Sequence, residues 1–133
     1  MIDLMLDTNI LTYIIKHKPI NVIEKFKQHK PGNIAISSIV YAELMYGAYN
    51  SQHILKNIRS IHALIDNFQI LEFDTKAAEV YGKTKAHLRS LGALISDNDL
   101  LIGSHALSLK VPLITNNSKE YARIPDLKID NWV

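Results

Sequence analysis

Three acidic residues of this chain stand where acidic side chains are out of place. Asp7 ends the short, largely apolar segment from Ile2 to Leu6. A parallel sheet gathers its ligand-binding residues at the C-terminal ends of its strands, although an aspartate there also caps a following helix, and one residue can do both. Glu43 has Ile39, Val40, Tyr46 and Gly47 one helical turn away, so its carboxylate does not belong to a polar stripe. A charge in such a setting needs a lysine or arginine partner, a proton, or a bound cation. Asp99 falls in the first turn of a helix within Ile95-Ser-Asp-Asn-Asp99-Leu-Leu-Ile102. The helix N-terminus keeps such a carboxylate ionised. Asp97 is the expected cap, and the plain alternative is that both acids only stabilise the helix start.

Taken together, Asp7, Glu43 and Asp99 describe a carboxylate cluster at one edge of a sheet, which repels itself unless a cation sits among its members. Hard oxygen donors, with no cysteine in the chain and no adjacent histidine pair, favour Mg²⁺ or Mn²⁺ over zinc. Glu24, Asp66, Glu72, Asp74, Glu79, Asp126 and Asp130 have polar neighbours and read as solvated surface. His17, His29, His53, His62 and His87 show no ligand spacing. His105 lies between apolar residues and reads as a hydrogen-bonded core histidine. Tyr41, Tyr46 and Tyr49 read as core or interface, with Tyr46 near enough to reach the mouth of the site.

The elements that must position these residues alternate. Strands are expected at 2–6, 34–36, 69–73 and 111–115, with a fifth around Ile129. Helices are expected from Asp7-Thr8-Asn9 to His17-Lys18-Pro19, over 21–29, from Ser37-Ser38 to Tyr49, over 52–66, over 76–91 with Gly92 closing, and from Asp97-Asn98 to Leu109. Strands alternating with helices imply a parallel sheet covered on both faces, in one α/β domain spanning 1–133.

Composition agrees with that class. A hydrophobic share of 47% over 133 residues builds one core and excludes a disordered or fibrous chain. The absence of cysteine excludes a disulfide scaffold, a thiolate metal site and a cysteine nucleophile. The segment Met1 to Asp7 has no basic leader, no apolar run is long enough to span a membrane, and a cytoplasmic protein is expected. The net charge of +2 permits an acidic partner without identifying one.

Four blocks then carry a resemblance: Met5-Leu-Asp-Thr-Asn-Ile10, Tyr41-Ala-Glu-Leu-Met-Tyr-Gly47, Asn98-Asp-Leu-Leu-Ile-Gly-Ser-His-Ala106 and Ile114-Thr-Asn-Asn117. In order and spacing they resemble the signatures of PIN domains, and more narrowly of the VapC toxins of bacterial toxin–antitoxin pairs, over almost the whole chain. The resemblance implies a three-layer α/β/α sandwich with a central parallel sheet. It also implies an endoribonuclease using Mg²⁺ or Mn²⁺ to hydrolyse structured RNA such as tRNA, with 5′-phosphate and 3′-hydroxyl products. Asp7, Glu43 and Asp99 fall on the family's first three acidic positions. Asp7 and Asp99 are then the direct metal ligands, and Glu43 is a ligand or the group that deprotonates the attacking water. Asn117 departs from the pattern, standing where many PIN domains have aspartate; its amide oxygen or the carboxylate of Glu120 would complete the site, with Thr115 as a hydrogen-bond donor.

RNA needs cations near such a pocket, and Lys83, Lys85, Arg89, Lys119 and Arg123 are the candidates. The resemblance further implies a VapB-type antitoxin whose extended segment lies in an apolar groove, for which Ile14, Ile15 and the helix carrying Ile54, Ile58 and Ile61 are candidates, although core packing explains these residues equally well. DNA binding would come only through that antitoxin, and a homodimer is typical. Two other readings compete. A PIN-fold module that binds RNA or protein without cutting is favoured by Asn117 and opposed by the retained acids. A receiver-like Mg²⁺ domain lacks its adjacent acidic pair.

Overall fold

The structure, a computed structural model, describes residues 1–133. In chain order its elements are β1 (Leu4–Leu6), α1 (Thr8–Lys16), α2 (Ile20–Lys27), β2 (Ile34–Ser37), α3 (Ser38–Tyr49) and α4 (Ile54–Ile65). They continue with β3 (Gln69–Leu71), α5 (Thr75–Ser90), α6 (Asp97–Leu109), β4 (Leu113–Ile114), α7 (Ser118–Tyr121) and β5 (Ile129–Asp130). All four strand pairings are parallel, in the order β3-β2-β1-β4-β5. The first two crossovers step the sheet one way from β1, and the third carries the chain past β1 to the other side. Right-handed crossovers in opposite directions put their helices on opposite faces, which yields the expected α/β/α sandwich. The inner strands β1, β2 and β4 are buried along their whole length, as the continuous apolar runs of a twice-covered sheet require. One core of 27 buried apolar residues links the sheet to helices of both layers. No helix is long and apolar enough to cross a membrane.

Local chemistry sets the helix ends. Asp7, Ser37, Asp74 and Ser96 each cap a helix with a side-chain oxygen that accepts a backbone N–H. One expectation is corrected here. The cap of α6 is Ser96, which accepts from the Asp99 N–H at 3.3 Å, and not Asp97, whose carboxylate turns out to Lys85 at 3.0 Å. Asp74 lies on the surface as expected, and it also caps α5 by accepting from the Ala77 N–H at 2.9 Å. The α5 helix closes as expected: Gly92 adopts φ +65 and lets the Ala93 N–H return to the Leu88 carbonyl at 2.9 Å. The single turn α7 has no counterpart among the expected helices, and it proves to matter.

Candidate active site

The strand order creates the site. Connections leave β1 toward β2 on one side while β4 lies on the other, so a crevice opens between the C-terminal ends of β1 and β4. Asp7 is the first residue past β1 and Thr115 the first past β4. The Thr115 hydroxyl donates to Asp7 Oδ2 at 2.8 Å, and the Thr8 N–H donates to Oδ1 at 2.8 Å. Asp7 is therefore both helix cap and crevice residue, and it is only 4% exposed.

Two more elements close on this point. The first turn of α6 brings Asp99, and α7 brings the fully buried Tyr121. The Tyr121 hydroxyl lies 3.2 Å from Asp99 Oδ1 and 3.4 Å from Asp7 Oδ1. The Asn117 side-chain amide donates to Asp99 Oδ2 at 2.8 Å, and its backbone N–H donates to the Thr115 hydroxyl at 2.9 Å. Glu43 joins through α1: the Thr8 hydroxyl donates to its Oε1 at 3.1 Å. No three carboxylate or imidazole groups close on one point in this arrangement. Asp7 and Asp99 form a pair across Tyr121, and Glu43 stands behind Thr8.

The electrostatics are those of uncompensated charge. Burial pushes the Asp7 carboxyl above its ordinary value, and the charge of Asp99 pushes the same way, against the hydrogen bonds from Thr115, Thr8 and Tyr121. Glu43 is raised by burial first, then by Asp7 and Asp99, with Thr8 opposing. The Tyr121 phenol is pushed well above its usual range by burial and by all three carboxylates. The ion pairs of the chain, His62–Asp66 and Lys85–Asp97, involve none of these groups. Every donor to Asp7 and Asp99 is neutral.

Among the residues singled out from sequence, Asp7, Asp99, Asn117 and Thr115 come together directly, and Glu43 adjoins them. Glu120 does not: it makes no hydrogen bond to the cluster, and the neighbouring Tyr121 enters instead. A signal for this was present. Asn117 followed three residues later by Glu120 is the pattern of a helix start, which makes Glu120 a first-turn residue and swings position 121 to another face. His105 is the core histidine expected, 1% exposed and sharing a 2.8 Å hydrogen bond with Ser37 Oγ. Of the candidate cations, Lys85 is engaged by Asp97 and by the Tyr81 hydroxyl, and Arg123 donates to the Leu94 carbonyl at 2.9 Å. Lys83 lines a separate cavity with Thr84 and Asp126.

Two depressions are relevant, and only the first includes one of the acids, Glu43. One, about 520 Å³, is lined by Thr8, Glu43, Asn98 and the exposed Tyr46 and forms the mouth of the site. The other, about 400 Å³, is an apolar groove between α1, α2 and α4, lined by Ile14, Ile15, Ile23, Phe26, Ala63 and Leu64. The helix α4 does wall the groove, through Ala63 and Leu64, while Ile61 lies in the core and Ile58 packs against it, the second of the two places open to them.

The PIN domain family matches residues 4–127. A curated relative, Ribonuclease VapC2 of Haemophilus influenzae, is 40% identical over the full length of both chains. This chain belongs to the PIN-domain family, among the VapC ribonucleases. The tRNA(fMet)-specific endonuclease VapC of Shigella flexneri is 36% identical over 99% of both chains. The crystal structure of DNA-bound VapBC from Salmonella typhimurium contains a chain that superposes with a TM-score of 0.94 at 35% identity, covering all of both chains. Asn117, the position where the resemblance implies an aspartate in many PIN domains, donates its side-chain amide to Asp99.

Proposed function

We propose that this chain is a divalent-cation-dependent endoribonuclease, the toxin of a VapB-type antitoxin pair, acting in the cytoplasm on structured RNA, tRNA foremost. The observation that carries the reading is the Asp7–Asp99 pair: two carboxylates in a crevice, bound by neutral donors and balanced by no cation of the chain. Such charge fits a hard divalent ion, and an all-oxygen donor set favours Mg²⁺ or Mn²⁺. When bound, that ion lowers the pKa of a water and offsets the charge that develops on the phosphate in hydrolysis.

The residues of the chain do the rest. Thr115 and the Thr8 N–H fix the rotamer of Asp7, and Asn117 fixes that of Asp99. Glu43, its proton affinity raised by burial and by the two aspartates, is the group suited to take the proton of the attacking water. Attack by water leaves 5′-phosphate and 3′-hydroxyl ends. The Shigella relative's name supports tRNA as substrate class, and the VapBC complex supports the antitoxin as partner. The apolar groove is the seat for the antitoxin, and DNA contact comes through that partner, since no DNA-reading motif is present here. A homodimer is the proposed assembly.

The test is RNA cleavage by the purified chain with Mg²⁺ or Mn²⁺ and with chelator, alongside growth on expression without antitoxin. Asp7→Ala and Asp99→Ala lower the rate by at least about 10³-fold, and Glu43→Gln by about 10²-fold. The first two relieve growth arrest. Chelator-insensitive cleavage, or wild-type rates in all three variants, would sink the assignment.

A further inference from the structure

We infer that Tyr121 is a positioning residue of the cation site: its hydroxyl, seated by Gly103, holds Asp7 and Asp99 ready for the ion. The inference rests on the divalent-cation reading above. Tyr121 is completely buried, and its ring belongs to the apolar core, where a phenylalanine would pack as well. Burying a hydroxyl is unfavourable unless it is hydrogen-bonded, and the partners of this one are Asp7 Oδ1 and Asp99 Oδ1. A phenol has one proton, so it cannot bond fully to both. Distances of 3.4 and 3.2 Å, longer than an ordinary O–H···O bond, show one donor shared between two acceptors.

The helix facing the ring is cut to receive it. Gly103 lies four residues after Asp99 and so on the same face of α6. A Cβ there would meet Cδ1 and Cε1 of the Tyr121 ring at 3.2 Å and Cδ1 of Ile124 at 2.5 Å. A glycine in a helix interior is unfavourable, and here it leaves the space in which the ring lies against the backbone. α7 supplies the ring, α6 supplies both its seat and Asp99, and the junction between β1 and α1 supplies Asp7. Three elements meet at one neutral oxygen, which sets the spacing of the two charged groups without adding charge of its own. Partners of metal ligands of this kind change ion affinity by roughly 10–100-fold when removed.

The experiment is a calorimetric titration of the full-length, antitoxin-free chain with Mn²⁺ alone, at fixed pH. Tyr121→Phe keeps the ring and its packing. It is expected to weaken Mn²⁺ binding by about 10-fold and to raise the Mn²⁺ concentration for half-maximal cleavage equally, while the rate at saturating Mn²⁺ stays near wild type. Gly103→Ala forces Ile124 aside and presses the ring by a few tenths of an ångström, and is expected to weaken Mn²⁺ binding too. In the Tyr121→Phe background it adds no further loss, because both changes remove one contact. Affinity in Tyr121→Phe equal to or tighter than wild type, with only the melting temperature changed, overturns the inference and leaves Tyr121 a core residue. Wild-type protein that binds no Mn²⁺, or binds it as well after Asp99→Asn, overturns the cation reading itself.

Discussion

Two polar clusters, one buried and one half-open, tie α6 to the sheet, and they solve the same problem in opposite ways. Near the end of β2, His105 and Ser37 share a 2.8 Å hydrogen bond, with the edge of Phe73 against the imidazole at 5.5 Å between ring centres. Six residues earlier on the same helix, ~9 Å along its axis, Asp99 meets Asp7, Tyr121 and Asn117. The first cluster is neutral: burial lowers the His105 pKa, with Asp74 opposing, and the imidazole stays uncharged. The second holds two carboxylates and only neutral donors. A buried polar group is either satisfied within the protein or left wanting a ligand. The first cluster holds the fold, and the second holds its charge for something that must come from outside.

The largest effect on stability is expected from breaking the neutral cluster. His105→Ala removes a packed ring and leaves Ser37 short of a partner, which costs about 3 kcal/mol and lowers the melting temperature by about 10 °C. Mn²⁺ affinity measured well below that temperature stays near wild type. The pH dependence separates the clusters further. Because the folded pKa of His105 lies below its ordinary 6.5, its contribution is intact above that value and is lost as pH falls through it. Thermal melts from pH 8 to pH 5 show this loss in wild type, and His105→Ala is missing that component. An unchanged pH profile in the variant would show that the histidine is not the group responsible.

The same contrast explains what was legible in the sequence. Asp7, Glu43 and Asp99 stood out because a charge next to apolar residues violates a local rule, and local rules can be read along a chain. The parallel sheet was legible too, because its inner strands are short apolar runs between helical stripes. Tyr121 was not: a tyrosine beside Ile124 obeys every local rule, and its function exists only once α7 turns it against Gly103 and two aspartates. Glu120 drew attention for its charge, which a first-turn helix position explains. Likewise, residue type does not separate Asp97 from Ser96 as the cap of α6. The choice depends on α5 offering Lys85 across a helix–helix contact that the sequence does not display.

A smaller, opposite effect is expected from neutralising the charged cluster. The Asp7 pKa is raised, chiefly by burial, so its contribution to stability is fully present below 3.8 and is lost as pH rises through the raised value. At neutral pH the raised value therefore makes Asp7 a burden on the ion-free protein. Asp7→Asn keeps an Oδ1 to accept from the Thr8 N–H and removes the charge. It raises the stability of the ion-free chain by about 1 kcal/mol, roughly 3 °C, while cleavage is lost. Added Mg²⁺ raises the melting temperature of wild type and not of the variant. A variant less stable than wild type without the ion would mean that the cluster does not store unbalanced charge.

The smallest effect comes from an acid two residues away from the largest functional one. Asp97 and Asp99 share the first turn of α6, but at 3.6 residues per turn they point about 200° apart. Asp99 turns into the crevice, whereas Asp97 faces α5, where Lys85 holds its carboxyl below the ordinary value through a 3.0 Å hydrogen bond. By sign, a depressed carboxylate stabilises above 3.8 and loses that contribution as pH falls through its lowered value. Water screens this exposed pair, however, and exposed pairs of this kind contribute little. Asp97→Asn is therefore expected to leave both the melting temperature at pH 7 and the cleavage rate unchanged within error, where Asp99→Asn abolishes cleavage. The two substitutions are chemically identical and lie on one helical turn, so helix propensity and net charge cancel between them. What remains is the difference between a charge already answered by Lys85 and one left facing Asp7.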